Sequence, residues 1–151
     1  MLRRIFAGAA AGVIATGPQS AVVWGARAAG IYDRRPPPEV VADAPTTAMV
    51  EAGMLPAELR RPAMVAEHLG AGAAGGVLFA LVSRIVRPAP IAGVLTGLAI
   101  WKASYDGWIP ALRMMPPPEK DETGRQVTMV IAHVVYGLSL AAAFKRLNRN
   151  A

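Results

Sequence analysis

Lys102 and Asp106 are ionisable residues in an otherwise apolar stretch. Their spacing of four residues places both side chains on one face of a helix. Ionisable groups in apolar segments are costly to bury, and they often mark a path for protons or ions. The pair therefore predicts one of two roles. Either the carboxylate and the ammonium load and release a proton or ion, or they form a self-compensating structural pair in which Lys102 extends toward the surface.

Polar side chains also occur in the other apolar stretches, where the sequence contains Gln19, His68 and His133. Because a helix rises about 1.5 Å per residue, His68, Asp106 and His133 lie roughly 6–9 Å inside one end of their stretches. Gln19, just after Pro18, is expected at a comparable depth. If they face inward, they form a small polar chamber at one level. Tyr136, one helical turn from His133, is a further candidate for this polar site.

The composition is that of a membrane protein. The chain has 151 residues, is 54% hydrophobic with a mean hydropathy of +0.36, and is only 17% charged, against about 25% in soluble domains. A helix needs about 20 mostly apolar residues to cross the hydrocarbon layer. We therefore predict an all-α integral membrane four-helix bundle, formed by one transmembrane domain over residues 1–151. The predicted spans are 5–31, 64–86, 91–112 and 127–147, and the predicted outer loops are 32–63 and 113–126.

Acidic residues are sorted to one side of these spans. Of ten carboxylates, all except Asp106 lie in residues 33–67 or 119–122, whereas the termini and the second connection carry basic residues without acids. Each side has seven Lys and Arg residues, but the acid-free segments are shorter, and this denser positive charge is typical of the cytoplasmic side. The heavy use of Ala, Gly, Pro and Arg is typical of GC-rich bacteria. We predict a bacterial inner (plasma) membrane protein with both termini cytoplasmic.

Small residues recur at a spacing that favours close helix packing. Gly-xxx-Gly pairs place two glycines on one helix face, where backbones can approach closely in lipid. These pairs predict either packing within one bundle or assembly into a homo-oligomer. The predicted partners are the lipid bilayer and other membrane subunits, and not nucleic acid, because the basic residues form no cluster. The three pairs are Gly8 with Gly12, Gly72 with Gly76, and Gly93 with Gly97.

The two halves of the chain resemble one another. Each half runs from a span through Pro-Pro-Pro-Glu and a loop to a second span with a histidine near its start. This order predicts a parallel internal repeat of two helix pairs. The proline runs at 36–38 and 116–118 predict extended exits from the preceding helices. The long first loop has room for a short interfacial helix over residues 47–52.

The residues that enzymes and metal sites need are mostly missing from the sequence. There is no Cys, which excludes disulfides and thiolate metal sites. Neither a G-x-S-x-G motif, a His-Glu-x-x-His motif nor a phosphate-binding loop occurs. We therefore predict a non-enzymatic protein without a cofactor or metal. The exception left open is haem, which His68 and His133 would ligate from facing helices of an apolar bundle.

Short motifs on all four predicted spans form a recognisable set. They are Gly17-Pro18, the Pro-Pro-Glu exit, Glu67-His68-Leu69-Gly70-Ala71-Gly72, Trp101-x-x-Ser104-Tyr105-Asp106 and His133-x-x-Tyr136-Gly137. In these motifs the chain resembles the YagU-like family of small four-span bacterial inner-membrane proteins, which has a reported link to acid resistance. The resemblance implies four spans and an inner-membrane location. It also implies that proton-responsive side chains at positions 68, 106 and 133 matter.

Three functions fit these observations. The first is an integral inner-membrane protein whose polar site, in the outer half of the bundle, is linked to protons or small solutes. The second is a structural or accessory subunit of a larger membrane complex, in which the polar residues only tie the helices together. The third is a small b-type haem protein that uses His68 and His133. The first predicts a reachable cavity, whereas the second predicts none.

Overall fold

The computed structural model describes residues 1–149, and in this range the chain is all-helical, without strands. Residues 150 and 151, which belong to the predicted single domain, lie outside the described residues. Short 3₁₀ turns at Ala57–Leu59 and Pro118–Lys120 precede two of the helices. The helices are α1 (Leu2–Ala28), α2 (Pro37–Glu51), α3 (Arg60–Val82), α4 (Ala89–Ala103), α5 (Ile109–Ala111) and α6 (Thr123–Arg149).

Three helical segments are long and apolar enough to cross a membrane. They are Leu2–Ala28, Ala57–Val82 and Thr123–Asn148, and they overlap the first, second and fourth predicted spans. Segments of this length and hydropathy indicate a membrane protein. Pro18 lies inside α1, and the helix continues through it.

The third apolar segment has a more complex form. Its α-helical part, α4, has 15 residues and is followed by a π-helical turn at Ser104–Trp108 and by the single turn α5. The helical backbone thus continues from residue 89 to residue 111. The π turn precedes Pro110, which has no N–H to continue the α-helical hydrogen bonding. Such turns change which side chains face a neighbouring helix, and they are frequent at functional sites.

α1 occupies a central position, because it packs against both α3 and α6. Its contact with α3 runs through glycines. A Cβ added to Gly12 would overlap the carbonyl oxygen of Gly72, and one added to Gly8 would meet that of Gly76. Small residues that allow such close approach stabilise helix pairs in lipid through van der Waals contact.

α4 packs on α6 in the same manner. A Cβ at Gly93 would overlap the carbonyl oxygen of Gly137, and one at Gly97 would overlap that of His133. All three Gly-xxx-Gly pairs therefore face helices of the same chain, as the intramolecular alternative requires. α3 and α4 contact each other much less, so a gap remains between them.

The two ends of the molecule are built differently. At the end that holds both termini, Arg3 donates to the Asn148 carbonyl (3.4 Å), and Arg4 donates to the Ala80 carbonyl (3.1 Å) and the Ser83 hydroxyl (2.9 Å). We call this the terminal end. The opposite end, which we call the loop end, holds residues 29–59 and 112–122.

The core has one apolar cluster near each end. The cluster nearer the terminal end includes the edge-to-face pair of Phe79 and Phe144, with ring centroids 5.3 Å apart. The cluster nearer the loop end includes Val23, Tyr105 and Met129. Aromatic pairs in this geometry add to the burial energy of the rings.

The first proline run initiates a helix, which corrects the prediction of an extended exit. Pro36 is extended (φ −57°, ψ 137°), but Pro37 and Pro38 already belong to α2. Proline fits the first helical turn, where its missing N–H has no partner in any case. Glu39 in the same turn interacts favourably with the helix dipole. α2 ends at Glu51, so it includes residues 47–51 of the short helix predicted over residues 47–52 but begins ten residues earlier.

Candidate functional site

A cavity of about 440 Å³ lies between α3 and α4, where these helices contact each other least. Its wall from the 89–111 segment is mostly apolar and includes Ile100, Trp108 and Ile109, with Ser104 as a polar residue among them. The start of α2 lines it with Pro37 and Pro38, so α2 covers the cavity from the loop end. Cavities of this size and character are typical of binding sites for small molecules.

The polar wall of the cavity comes from α1, α3 and α6. His133 is buried, and its Nδ1 lies 2.7 Å from the Met129 carbonyl oxygen. A carbonyl oxygen only accepts hydrogen bonds, so Nδ1 carries the proton and the Nε2 of the neutral ring is an acceptor. The Gln19 amide Nε2 lies 3.5 Å from His133 Nε2, which is long for a hydrogen bond. The acceptor is therefore only weakly satisfied.

His68 and Tyr136 make the two other polar contacts of this wall. The Nε2 of His68 lies 3.1 Å from the Ser20 hydroxyl, which connects α3 to α1. The Tyr136 hydroxyl donates to the Gly72 carbonyl (2.7 Å), which connects α6 to α3. These bonds fix the ring positions across the helix interfaces. The half-buried His68 also presents its second ring nitrogen, which is free to bond a ligand.

The cavity brings together Gln19, His68, His133 and Tyr136 from the predicted polar site. Lys102 and Asp106 do not line it. They form an ion pair with each other, and the Lys102 side chain is 70% exposed. This geometry is that of the self-compensating pair, because the ammonium reaches the surface while neutralising the carboxylate.

The haem alternative would use both imidazoles as iron ligands. In this structure the Nε2 of His68 hydrogen-bonds the Ser20 hydroxyl, whereas the Nε2 of His133 makes only the long 3.5 Å contact with the Gln19 amide. Ligating one iron through these nitrogens would require the Ser20–His68 bond to break.

An ionic cluster at the loop end was missed by the sequence analysis. Asp121 has a fully buried side chain and accepts a hydrogen bond from Arg125 Nε at 2.8 Å. Tyr105 also donates to Asp121, and Arg125 donates to the Arg35 carbonyl at 2.9 Å. Burial alone would raise the pKa of Asp121, but the hydrogen bonds from Arg125 and Tyr105 outweigh it and hold that pKa below its usual range. The sequence signal was the four-residue spacing of Asp121 and Arg125.

A second ionic cluster holds α2 in place over the cavity. Asp43, on α2, pairs with Arg60 at the start of α3 and with Arg35 in the preceding loop (3.1 Å). Burial opposes ionisation of Asp43, yet its hydrogen bond with Arg35 and the charges of both arginines lower its pKa. The link to Arg60 fixes the middle of α2 on the start of α3. α2 is thus held over the cavity by ion pairs of the folded protein.

No known protein family, no curated protein and no solved structure matches this chain. The fold and the site therefore define only a broad class of protein. Over residues 1–149 it is all-helical, with three helices suited to crossing a membrane and a mostly apolar cavity between two helices.

Proposed function

We propose that this chain is a non-enzymatic integral membrane protein that binds a small, largely apolar molecule with a hydrogen-bond donor in the cavity between α3 and α4. The cavity is the observation that carries the proposal. A structural or accessory subunit needs no such space, whereas a solute-linked protein does.

The chemistry of the walls defines the ligand class. Ile100, Trp108 and Ile109 offer an apolar surface, and His133 Nε2 offers an acceptor that Gln19 satisfies only weakly. A ligand hydroxyl or amine would donate to this nitrogen while its apolar part fills the opposite wall. A buried polar group without a full partner is costly, so such a donor gains free energy from completing the bond.

The ligand reaches the cavity through the gap between α3 and α4. Ala71 and Ala74 line the cavity and are exposed on its open side. In a bilayer this opening faces the acyl chains rather than water. Molecules that partition into lipid are therefore the class with direct access.

Finer features of the architecture belong to the same proposal. We propose that α1, α3, the 89–111 segment and α6 form a four-helix membrane bundle in the bacterial inner membrane, with the terminal end cytoplasmic. The glycine crossings of α1 with α3 and of α4 with α6 support a parallel repeat of two helix pairs. Membership of the YagU-like family remains a proposal that rests on the sequence motifs.

Photolabelling tests the cavity. The probe is a diazirine derivative of octanol, which has one hydroxyl and an apolar chain, and labelled residues are mapped by mass spectrometry of the purified full chain. We expect labels on the walls of the cavity in the wild-type protein. Ala74→Phe places an aromatic ring at the opening, and we expect labelling of these walls to fall at least fivefold.

The matched control is Ala66→Phe, also on α3 but outside the cavity lining. It should leave the labelling pattern unchanged. Absence of label on these walls in the wild type, or equal labelling in wild type and Ala74→Phe, would contradict entry through this opening, and the proposal would be abandoned. Circular dichroism of both variants checks that the helices are retained.

A further inference from the structure

A groove runs along the surface between α1 and α3, beyond the point where their glycines cross. It has a volume of about 420 Å³ and shares only Thr16, Pro38 and His68 with the cavity lining. The Ser20–His68 hydrogen bond lies between the two spaces, because Ser20 lines the groove and His68 lines both. The groove is therefore a separate site.

The groove changes character along its length. Toward the middle of the helices it is lined by Ile14, which is 54% exposed although apolar, and the equally apolar Val65, 58% exposed, follows closer to the loop end. Toward the loop end it is lined by Trp24 and Glu39. The order of apolar residues, then an indole, then a charge matches the order of acyl chain, interface and head group in a lipid leaflet.

The rim at the loop end carries a cation and an anion side by side. The Arg27 guanidinium lies over the Trp24 ring, 5.9 Å from its centre, and its Nη1 lies 3.8 Å from Glu39 Oε2. Both side chains remain about one-third exposed. The other carboxylate oxygen of Glu39 lies 3.3 Å from Arg35, which also pairs with Asp43. A head group at this rim therefore meets one guanidinium and one carboxylate, those of Arg27 and Glu39.

We propose that this groove binds a zwitterionic phospholipid with a primary ammonium head group, of the phosphatidylethanolamine type. Its acyl chain lies against Ile14 and Val65, its phosphate pairs with Arg27, and its ammonium donates hydrogen bonds to Glu39. A guanidinium binds phosphate through paired hydrogen bonds. Because the Arg27–Glu39 distance is long, Arg27 can still bind the phosphate and Glu39 can still bind the ammonium.

The same rim disfavours the other common head groups. A quaternary ammonium, as in phosphatidylcholine, has no N–H to donate to the Glu39 carboxylate. An anionic head group, as in phosphatidylglycerol, meets the negative charge of Glu39 without a compensating cation of its own. The site therefore selects for a lipid that carries both charges and a donor.

Native mass spectrometry of the full chain in detergent tests this site, with the three lipids titrated at identical acyl composition. We expect the wild type to bind phosphatidylethanolamine at least threefold more tightly than the other two. Glu39→Gln should abolish the preference over phosphatidylcholine, and Glu39→Asp should retain it. Arg27→Gln should weaken binding of all three lipids several-fold.

Glu58→Gln and Arg61→Gln are the controls, because both residues are exposed at the loop end and neither lines the groove. Neither should alter the preference. Equal binding of the three lipids by the wild type would overturn the proposal, as would an unchanged preference in a folded Glu39→Gln protein. The Ala74→Phe variant should keep its lipid preference, which separates failure of this site from failure of the cavity.

Discussion

Asp106 and Asp121 are stabilised by their partners rather than by their distance from the bilayer. Asp106 lies in an apolar segment but pairs with Lys102 near the surface. Asp121 lies in a loop but is fully buried against Arg125, whose side chain is 3% exposed. A buried ion pair is stable only if hydrogen bonds satisfy the remaining polar atoms, and Tyr105 supplies one of these to Asp121.

Asp121→Asn tests the buried pair. Removing the charge leaves the Arg125 guanidinium buried without its counter-ion, which costs about 3 kcal/mol. We expect thermal unfolding in detergent micelles at pH 7, followed by circular dichroism, to show a clearly lowered midpoint. Glu51→Gln, at the exposed end of α2, is the control and should unfold like the wild type.

The stability that Asp121→Asn loses should depend on pH in a defined direction. The pKa of Asp121 is lowered by folding, so its charge stabilises the folded state above the unfolded pKa of about 3.9. That contribution falls as the pH drops toward the folded pKa. The difference in stability between wild type and Asp121→Asn should therefore be largest above about pH 5 and should shrink toward pH 3. A difference that does not change with pH would contradict this account.

The level of a side chain along its helix could be predicted from the sequence, but the direction in which it faces could not. Counting the helical rise placed Gln19, His68 and His133 at one level, and all three line the same cavity. Asp106 was placed at a similar depth but lies outside the cavity. Each residue turns a helix by about 100°, and the π turn at residues 104–108 changes that rotation, so direction depends on local hydrogen bonding that the sequence pattern does not show.

At the scale of helices, α1 and α3 are held together by backbone contact. The glycines at this crossing leave no space for a side chain, so the helices approach more closely than larger residues would allow. Lipid chains compete little with this contact, because they cannot match its packing density. The Gly12–Gly72 contact is therefore highly sensitive to added volume.

Gly12→Ala tests the crossing. Its new Cβ would overlap the Gly72 carbonyl oxygen, which belongs to a helix backbone and cannot rotate away. Overpacking of this kind costs about 1–3 kcal/mol, seen as a lower thermal midpoint in detergent. Gly25→Ala is the matched control on α1, because nothing lies within 4 Å of its Cβ position. It should be neutral or stabilise slightly, and equal effects at the two positions would argue against the crossing.

The apolar helices could be predicted from hydropathy because length and composition suffice for that. α2 could not, because Pro36, Pro37 and Pro38 read equally well as an extended segment and as a helix start. Its position depends on tertiary contacts, in particular the pairing of Asp43 with Arg60. Periodicity within one segment carries no information about such contacts.

At the scale of the whole molecule, the contacts of Arg3 and Arg4 with residues 80–83 and 148 set both termini beside the second connection. Residues 29–59 and 112–122 lie at the other end. Acids are confined almost entirely to that loop end, whereas the terminal end is basic. This asymmetry motivates the proposed orientation in the membrane.

Cysteine labelling in intact bacterial cells tests the orientation. The chain contains no Cys, so each introduced thiol is the sole target of a membrane-impermeant maleimide. Met54 and Ile85, which are 69% and 87% exposed, lie at opposite ends. We expect Met54→Cys to be labelled in cells whose outer membrane is permeabilised and whose inner membrane is intact. Ile85→Cys should be labelled only after the cells are lysed. The reverse pattern would invert the proposed topology.

The cavity, of about 440 Å³, lies toward the loop end, while Phe79, Leu140 and Phe144 fill the terminal end. Hydrostatic pressure favours states in which such empty volume is eliminated. The two halves of this small chain should therefore differ in compressibility. Under rising pressure the loop end yields first, and the terminal end keeps its volume.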